Sequence, residues 1–349
     1  MEAQPTQRPR GARPESPYRK WQRGESIPRH SGSYVENLYI AEVGDWPRLG
    51  QKGAFVNLAD QEEDDSWLIE LAPGGQTEVV HHLFECMVLV LKGRGATTIW
   101  HKGRAKQTVE WQRGSVFSPP LNCYYQHFNL DGNQPARLYA VTNAPMVMNL
   151  FRNAGFVFGD EYVFDDRYDT QNEYFTSPGF RDETRDREWV TNFVPDIRAW
   201  KLDKQDNRGL GSFRLGFTFS GNQMVSHSGE WPPGTYLKGH RHGVGAHVVI
   251  LEGSGYSLLW FEGKERQKVD WKDGSVLSPK DYEYHQHFNT SPGSVRYFAF
   301  RLGAADNRAR GMPDQIESDL EDPEVYALYE AECAKNGVKV TLPRPSYRR

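Results

Sequence analysis

Four histidines bracket one stretch of this chain: His240 and His242 open it, His285 and His287 close it. His240 and His242 are two residues apart, so on a β-strand both imidazoles leave the same face. His285 follows His242 by 43 residues, after a proline turn and at the start of another strand-like run. Three neutral imidazoles meeting in a small cavity form a site for a divalent transition metal. The plainer reading of the same three residues is a set of core histidines, each satisfied by hydrogen bonds.

Other residues nearby could take part. His287 shares the parity of His285 and reads either as a hydrogen-bonded barrel histidine or as an acid/base beside the metal. Arg296, in the last apolar strand, is a candidate partner for a substrate carboxylate. Arg137 stands in the matching strand of an earlier copy, so a shared structural ion pair is the alternative. Arg241 alternates away from the ligand face. Tyr256, Trp260 and Tyr284 either wall an aromatic pocket or fill ordinary core. His247 lies one residue off the ligand face and reads as structural, while His227 either lines the pocket or sits in a loop.

The elements that must position these residues are repeated. Residues 66–143 and 213–303 are two copies of one block of short strands, at a constant offset of 160 residues from Glu70/Glu230 to Asn129/Asn289. Between Leu91 and Asn129, 18 of 39 positions are identical to their partners, which is an internal duplication. Each copy has about eight short strands separated by Gly/Pro turns, the pattern of a small antiparallel β-sandwich or jelly-roll barrel. Shared residues are candidates for architecture: Gly93/Gly253, Gly114/Gly274 and Pro119/Pro279 at turns, Trp111/Trp271 and Phe128/Phe288 in the core, His127/His287 in the barrel. The ligand positions diverge, because His240 corresponds to Val80 and His285 to Tyr125. Only His82/His242 is shared, and one imidazole does not hold a metal tightly.

The chain divides into a basic arm (1–33), an upstream barrel (34–150), an acidic and aromatic segment (151–212), a downstream barrel (213–303) and a tail (304–349). The arm carries seven Arg/Lys against three Glu by Arg29 and lacks an apolar core of the secretory type. It is expected to be disordered or to wrap the surface. The segment 151–212 is too aromatic for a free linker and is expected to pack across both barrels. In the tail, Asp322-Pro323 predicts a helix start and Gly337 its stop, with Val325, Leu328, Tyr329 and Cys333 buried. A net charge of −4 points to neither nucleic acid nor membrane, and no run of 18 apolar residues exists. Three cysteines without metal-type spacing suit a reducing cytoplasm.

These motifs resemble those of the cupin superfamily. Gly239, His240-Arg241-His242, the strand ending in Glu252-Gly253-Ser254-Gly255, then Gly274-Ser275-Val276 and His285 to Asn289 look like its two motifs. The duplication makes the chain resemble a bicupin, over residues 66–143 and 213–303. The resemblance implies an all-β fold, a double-stranded β-helix (jelly roll) present twice, here with a short C-terminal helix. Many cupins carry a metal-binding Glu four residues after the second His, where this chain has Ala246. A His-Arg-His string with Ala at that place resembles gentisate and salicylate ring-cleaving dioxygenases, whose iron is held by three His. Those enzymes usually keep their site in the first barrel, and their third-ligand motif differs from Tyr284-His285-Gln286-His287-Phe288-Asn289.

The resemblance therefore implies Fe(II), or alternatively Mn(II), at His240, His242 and His285. It also implies a small, anionic aromatic substrate, O2 and a homo-oligomer. Three other outcomes stay open: a decarboxylase, an isomerase or diketone-cleaving enzyme, and a non-catalytic bicupin.

Overall fold

The computed structural model describes residues 14–171, 173–183, 188–243, 245–302 and 314–348. Residues 1–13 of the arm and 303–313 of the expected barrel-to-tail junction lie outside the described residues. Each copy of the repeat is a two-sheet jelly-roll barrel. Upstream, Gln51–Leu58, Asp65–Leu71, Ala136–Thr142, Cys86–Lys92 and Val116–Phe117 follow one another across the larger sheet. The smaller sheet is Tyr124–Asn129, Arg94–Trp100 and Gln107–Gln112. Downstream, the larger sheet runs Phe213–Phe219, Val225–Trp231, Val295–Arg301, His247–Glu252 and Val276–Leu277. The smaller one runs Gln267–Lys272, Ser254–Trp260, Tyr284–Asn289, His240–Arg241 and Asp314–Gln315. The shared glycines turn both copies alike: Gly93 and Gly253 have φ of 89° and 86°, Gly114 and Gly274 of 89° and 87°. A Cβ is disfavoured in that left-handed region.

The two larger sheets share one core. On Val295–Arg301, Phe298 and Phe300 point between the barrels, with Phe217 and Phe219 from the same sheet and Leu89, Val141 and Tyr139 from the other. Val295, Tyr297 and Ala299 point into the downstream barrel. A strand buried on both faces reads as a continuous apolar run instead of an alternation, which is the pattern of Val88 to Leu91 and Val248 to Leu251.

The barrels also exchange their edges. Tyr34–Val35 pairs antiparallel with Val276–Leu277 of the downstream barrel, and Phe193–Val194 pairs with Val116–Phe117 of the upstream one. The sequence boundaries at 34 and 213 therefore cut across the sheets, since each barrel borrows its last strand from chain that precedes the other. Hydrogen bonds tie both crossings in the same way. Leu38 N–H donates to Gly274 O at 2.8 Å, and Ile197 N–H to Gly114 O at 2.9 Å. Arg137 pairs with Glu70 and donates to the carbonyls of Leu38 and Ala41. Arg296 pairs with Glu230 at 3.0 Å and donates to the carbonyls of Ile197 and Trp200. Arg296 shares the parity of Phe298, so it faces the inter-barrel core and not the histidines. The structural ion pair, shared with Arg137, is the reading the geometry supports.

The described part of the arm begins at residue 14. Ser16 caps a helix, Pro17–Glu25, that buries Tyr18, and Arg29–Gly32 pairs parallel with Gln51–Leu58. Helices Ala144–Phe151 and Ala154–Gly159 extend the upstream barrel. None of these three helices was anticipated, because none has the long apolar period that marks a helix in sequence. From the segment 151–212, Val157 and Tyr168 join the upstream core, and Ile197 and Leu202 the shared one. Helix Pro323–Lys335 starts at the Asp322 cap and buries Val325, Tyr326, Tyr329 and Cys333, with Leu328 half-buried. Among the described residues no helix is long and apolar enough to cross a membrane.

Replacing Arg296 by Gln removes one partner of a largely buried pair and two carbonyl contacts, so it should cost about 2 kcal/mol of stability. Thermal unfolding with parallel metal analysis checks this. The variant is expected to melt lower and to bind metal as tightly as the wild type.

Candidate metal centre

His240 and His285 sit directly opposite each other on neighbouring antiparallel strands. His242 follows two residues on, and its ring turns to the same side. The ring centroids lie 4.2 Å (His240–His285), 4.9 Å (His242–His285) and 5.8 Å (His240–His242) apart. One nitrogen from each of the three falls within 4.8 Å of the others. Each Nδ1 faces a backbone carbonyl: Lys238 O at 3.1 Å, Gly243 O at 3.2 Å and Glu283 O at 3.0 Å. Nδ1–H donation to those carbonyls makes Nε2 the lone-pair nitrogen in all three rings, the arrangement that prepares histidines for a metal. Burial first, and the neighbouring imidazoles next, hold His240 and His285 well below the ordinary histidine range. Both rings are therefore neutral at pH 7. These residues fit a divalent ion held by three nitrogens.

His287 lies one turn of the strand inward, its ring 5.7 Å from that of His285 and stacked on Trp231. Ser257 Oγ accepts from Trp271 at 2.9 Å and meets His287 Nδ1 at 2.7 Å. The upstream barrel has the same relay, Trp111 to Thr97 to His127, at the same distances of 2.9 and 2.7 Å. The relay is thus part of the shared architecture. Arg241 faces outward to Asp314 and Glu262. Tyr256, Trp260 and Tyr284 lie on the outer face of the smaller sheet, and Tyr256 packs with Phe288 under the C-terminal helix. They are core and do not wall the site. His247 bonds Tyr139 of the other barrel at 3.0 Å and approaches Asp64 at 3.4 Å, a structural bridge between barrels.

His227 does face the barrel interior, at 5.6 Å from the Tyr297 ring. With it come Arg208, Arg214 and Arg301, which sequence reasoning did not single out. Arg214 and Arg301 stand opposite Gly229 and Val225 in the ladders that flank His227, so all share its inward face. The only available signal was strand parity across a register that the sequence does not print.

Upstream, the equivalent place is closed. Val80 and Tyr125 pair as His240 and His285 do. The Tyr125 hydroxyl bonds His82 Nε2 at 2.8 Å, while His82 Nδ1 faces Phe84 O and the ring stacks on Phe84. Tyr125 therefore takes the nitrogen that a metal would need. His81 is held by the carbonyls of Phe158 and Asn122, and Glu85 by Arg167 and the N–H groups of Gln223 and Met224.

No family model matches the sequence, and no curated protein sequence matches it either. Solved structures do match the fold. A mutant oxalate decarboxylase from Bacillus subtilis is 11% identical, with 90% of this chain and 88% of that chain covered at a TM-score of 0.53. A salicylate 1,2-dioxygenase from Pseudaminobacter salicylatoxidans is 12% identical, over 73% of this chain and 75% of that one, at a TM-score of 0.54. Vicilin from hazelnut, Corylus avellana, is 9% identical, over 86% and 94%, at a TM-score of 0.51. The chain has the bicupin fold. Two enzymes and vicilin share it, so the fold alone leaves the chemistry of this chain to its site residues.

Metal stoichiometry tests the assignment of barrels. His242→Ala or His285→Ala is expected to reduce bound metal from one equivalent per bicupin to none, whereas His82→Ala leaves it at one. The double change Val80→His with Tyr125→His should raise it to two. Equal loss from the His82 change would reverse the assignment.

A pH dependence follows from the buried rings. Burial pushes His82, His127 and His287 down to about 3, while the unfolded chain takes up these protons near pH 6.5. The unfolded state binds more protons between those values, so stability present above about pH 6.5 is lost as pH falls, by at most about 1.4 kcal/mol per group and pH unit. Chemical denaturation of the metal-free protein from pH 7 to 4 should show this slope, and His127→Gln should flatten it.

Proposed function

We propose that this bicupin is a metal-dependent dioxygenase that holds Fe(II) at His240, His242 and His285. It would cleave an aromatic hydroxy-carboxylate, or a similar chelating substrate, with O2. The observation that carries this reading is the donor set: three imidazoles whose ligand nitrogens lie within 4.8 Å of one another, with buried Ala246 where a carboxylate ligand would otherwise stand. Such a set leaves the ion its full 2+ charge and open positions for an anionic chelating pair and a further small ligand. Fe(II) there supplies a path for electron density from chelated substrate to O2, which Zn(II) does not.

The chain's own residues do the rest. The carbonyls of Lys238, Gly243 and Glu283 fix the ligand rings. Trp231, Trp271 and Tyr297 close the inner end of the barrel against water. His287 is neutral beside His285, its Nδ1 held by Ser257 as in the upstream relay, and we assign it to orienting the neighbouring ligand rings.

A second reading, a decarboxylase, is prompted by the likeness to the Bacillus oxalate decarboxylase, described with Mn(II) centres. It needs a carboxylate acid/base near the metal. The two in sequence reach are otherwise engaged, Glu230 with Arg296 and Glu283 with the N–H of Lys280. That favours the dioxygenase. The test is oxygen uptake by anaerobically Fe(II)-loaded protein with a panel of hydroxybenzoates. One O2 per substrate is expected, with no uptake by His285→Ala. Release of CO2 without O2 consumption would favour the decarboxylase, and failure to take up any divalent metal would favour a non-catalytic bicupin.

A further inference from the structure

The interior of the downstream barrel is lined by cations that the metal centre does not use. Arg214 stands opposite Gly229, and His227 between Gly216 and Ala299, so both side chains leave the inward face of the larger sheet. Arg208 lies in the turn before that sheet. Its carbonyl accepts from Lys238 N–H at 2.7 Å, which holds the turn against the segment leading into His240. Arg301, opposite Val225 on the next strand, shares that inward face. The cations therefore gather on the inward face of the larger sheet and in the turn beside it.

The Glu188 carboxylate accepts from the Thr218 hydroxyl at 2.9 Å and is the acid facing Arg301. Arg208 and Arg214 make no side-chain hydrogen bond or ion pair among the described residues. Arg208 Nη1 and His227 Nδ1 are both shut off from solvent and unsatisfied. Buried donors left this way cost stability unless a ligand completes them. Two guanidinium groups and an imidazole N–H form a donor set for an oxyanion.

We infer that Arg208, Arg214 and His227 form an anion subsite facing the metal centre, and that the substrate is two-ended. One end chelates the metal, and a second acidic group, remote from the chelating oxygens, is held by the guanidinium pair. The chelating end rests on the metal reading proposed above; the anion subsite does not. The subsite also supplies the cationic partner for a substrate that Arg296, turned toward the inter-barrel core, does not provide.

Two measurements separate the two parts. Inorganic phosphate is titrated into metal-free protein at constant ionic strength, and binding is read by calorimetry and by the rise in melting temperature. Wild type is expected to bind. Arg208→Gln and Arg214→Gln should each weaken binding by about tenfold or more, and Arg344→Gln, on the surface, should not. No phosphate binding by wild type, or equal binding by all variants, overturns the subsite whatever metal the protein holds. Next, salicylate and 4-hydroxyisophthalate, which adds a second carboxylate to the same chelating end, are compared on anaerobic Fe(II)-loaded protein. The dianion should bind about tenfold or more tighter, and Arg214→Gln should erase that preference without loss of bound metal. Equal affinities, or binding of neither, overturn the two-ended substrate. Phosphate binding that persists in a protein unable to load metal would sink the metal reading alone.

Discussion

The constraint on which the rest depends is the burial of both larger sheets on both of their faces. Phe217, Phe298 and Phe300 from one barrel and Leu89, Tyr139 and Val141 from the other fill a single core. Neither sheet can shift its register without moving its entire outward set off that core. The exchanged edges strengthen the constraint. A barrel whose last strand comes from chain outside its own repeat has no edge of its own at that position, and Arg137 and Arg296 clamp the crossing carbonyls in matching ways. The inter-barrel side is thereby committed to packing, and chemistry is left to the barrel interiors.

Within the interiors, two positions separate the closed upstream site from the candidate metal centre. Both copies keep the Trp to Ser/Thr to His relay and one ligand-position histidine. Upstream, a tyrosine hydroxyl satisfies that histidine inside the protein, and the site needs nothing further. Downstream, a histidine in the same register position presents a lone pair instead, and His240 adds another. The carbonyls behind the three rings decide which nitrogen faces inward. The same barrel scaffold thus yields a satisfied hydrogen bond in one copy and an unsatisfied donor set in the other.

The candidate site was legible in part. His240, His242 and His285 could be grouped from the two-residue spacing and from their replacement by Val80 and Tyr125 in the other copy. Arg241 could be sent outward by parity alone. Arg296 could not be assigned, because its face depends on which side of a doubly buried strand meets the other barrel. Tyr256, Trp260 and Tyr284 were ambiguous for a related reason: their outer face is covered by a helix, Pro323–Lys335, that comes much later in the chain. The short helices of the arm and of residues 144–159 span at most nine residues each, too few for a long apolar period, and are stabilised by docking.

By itself the sequence determined the duplication, the strand-rich architecture and the three imidazoles, since strand parity and repeat offset are local or directly comparable properties of the chain. Tertiary structure alone decided three things: the exchange of edge strands, the pairing of Arg296 with Glu230, and the placing of Arg214 and His227 on one inward face of the downstream barrel. Each of these depends on the register between segments far apart in the chain, and register is set by packing in the shared core, which no local pattern encodes.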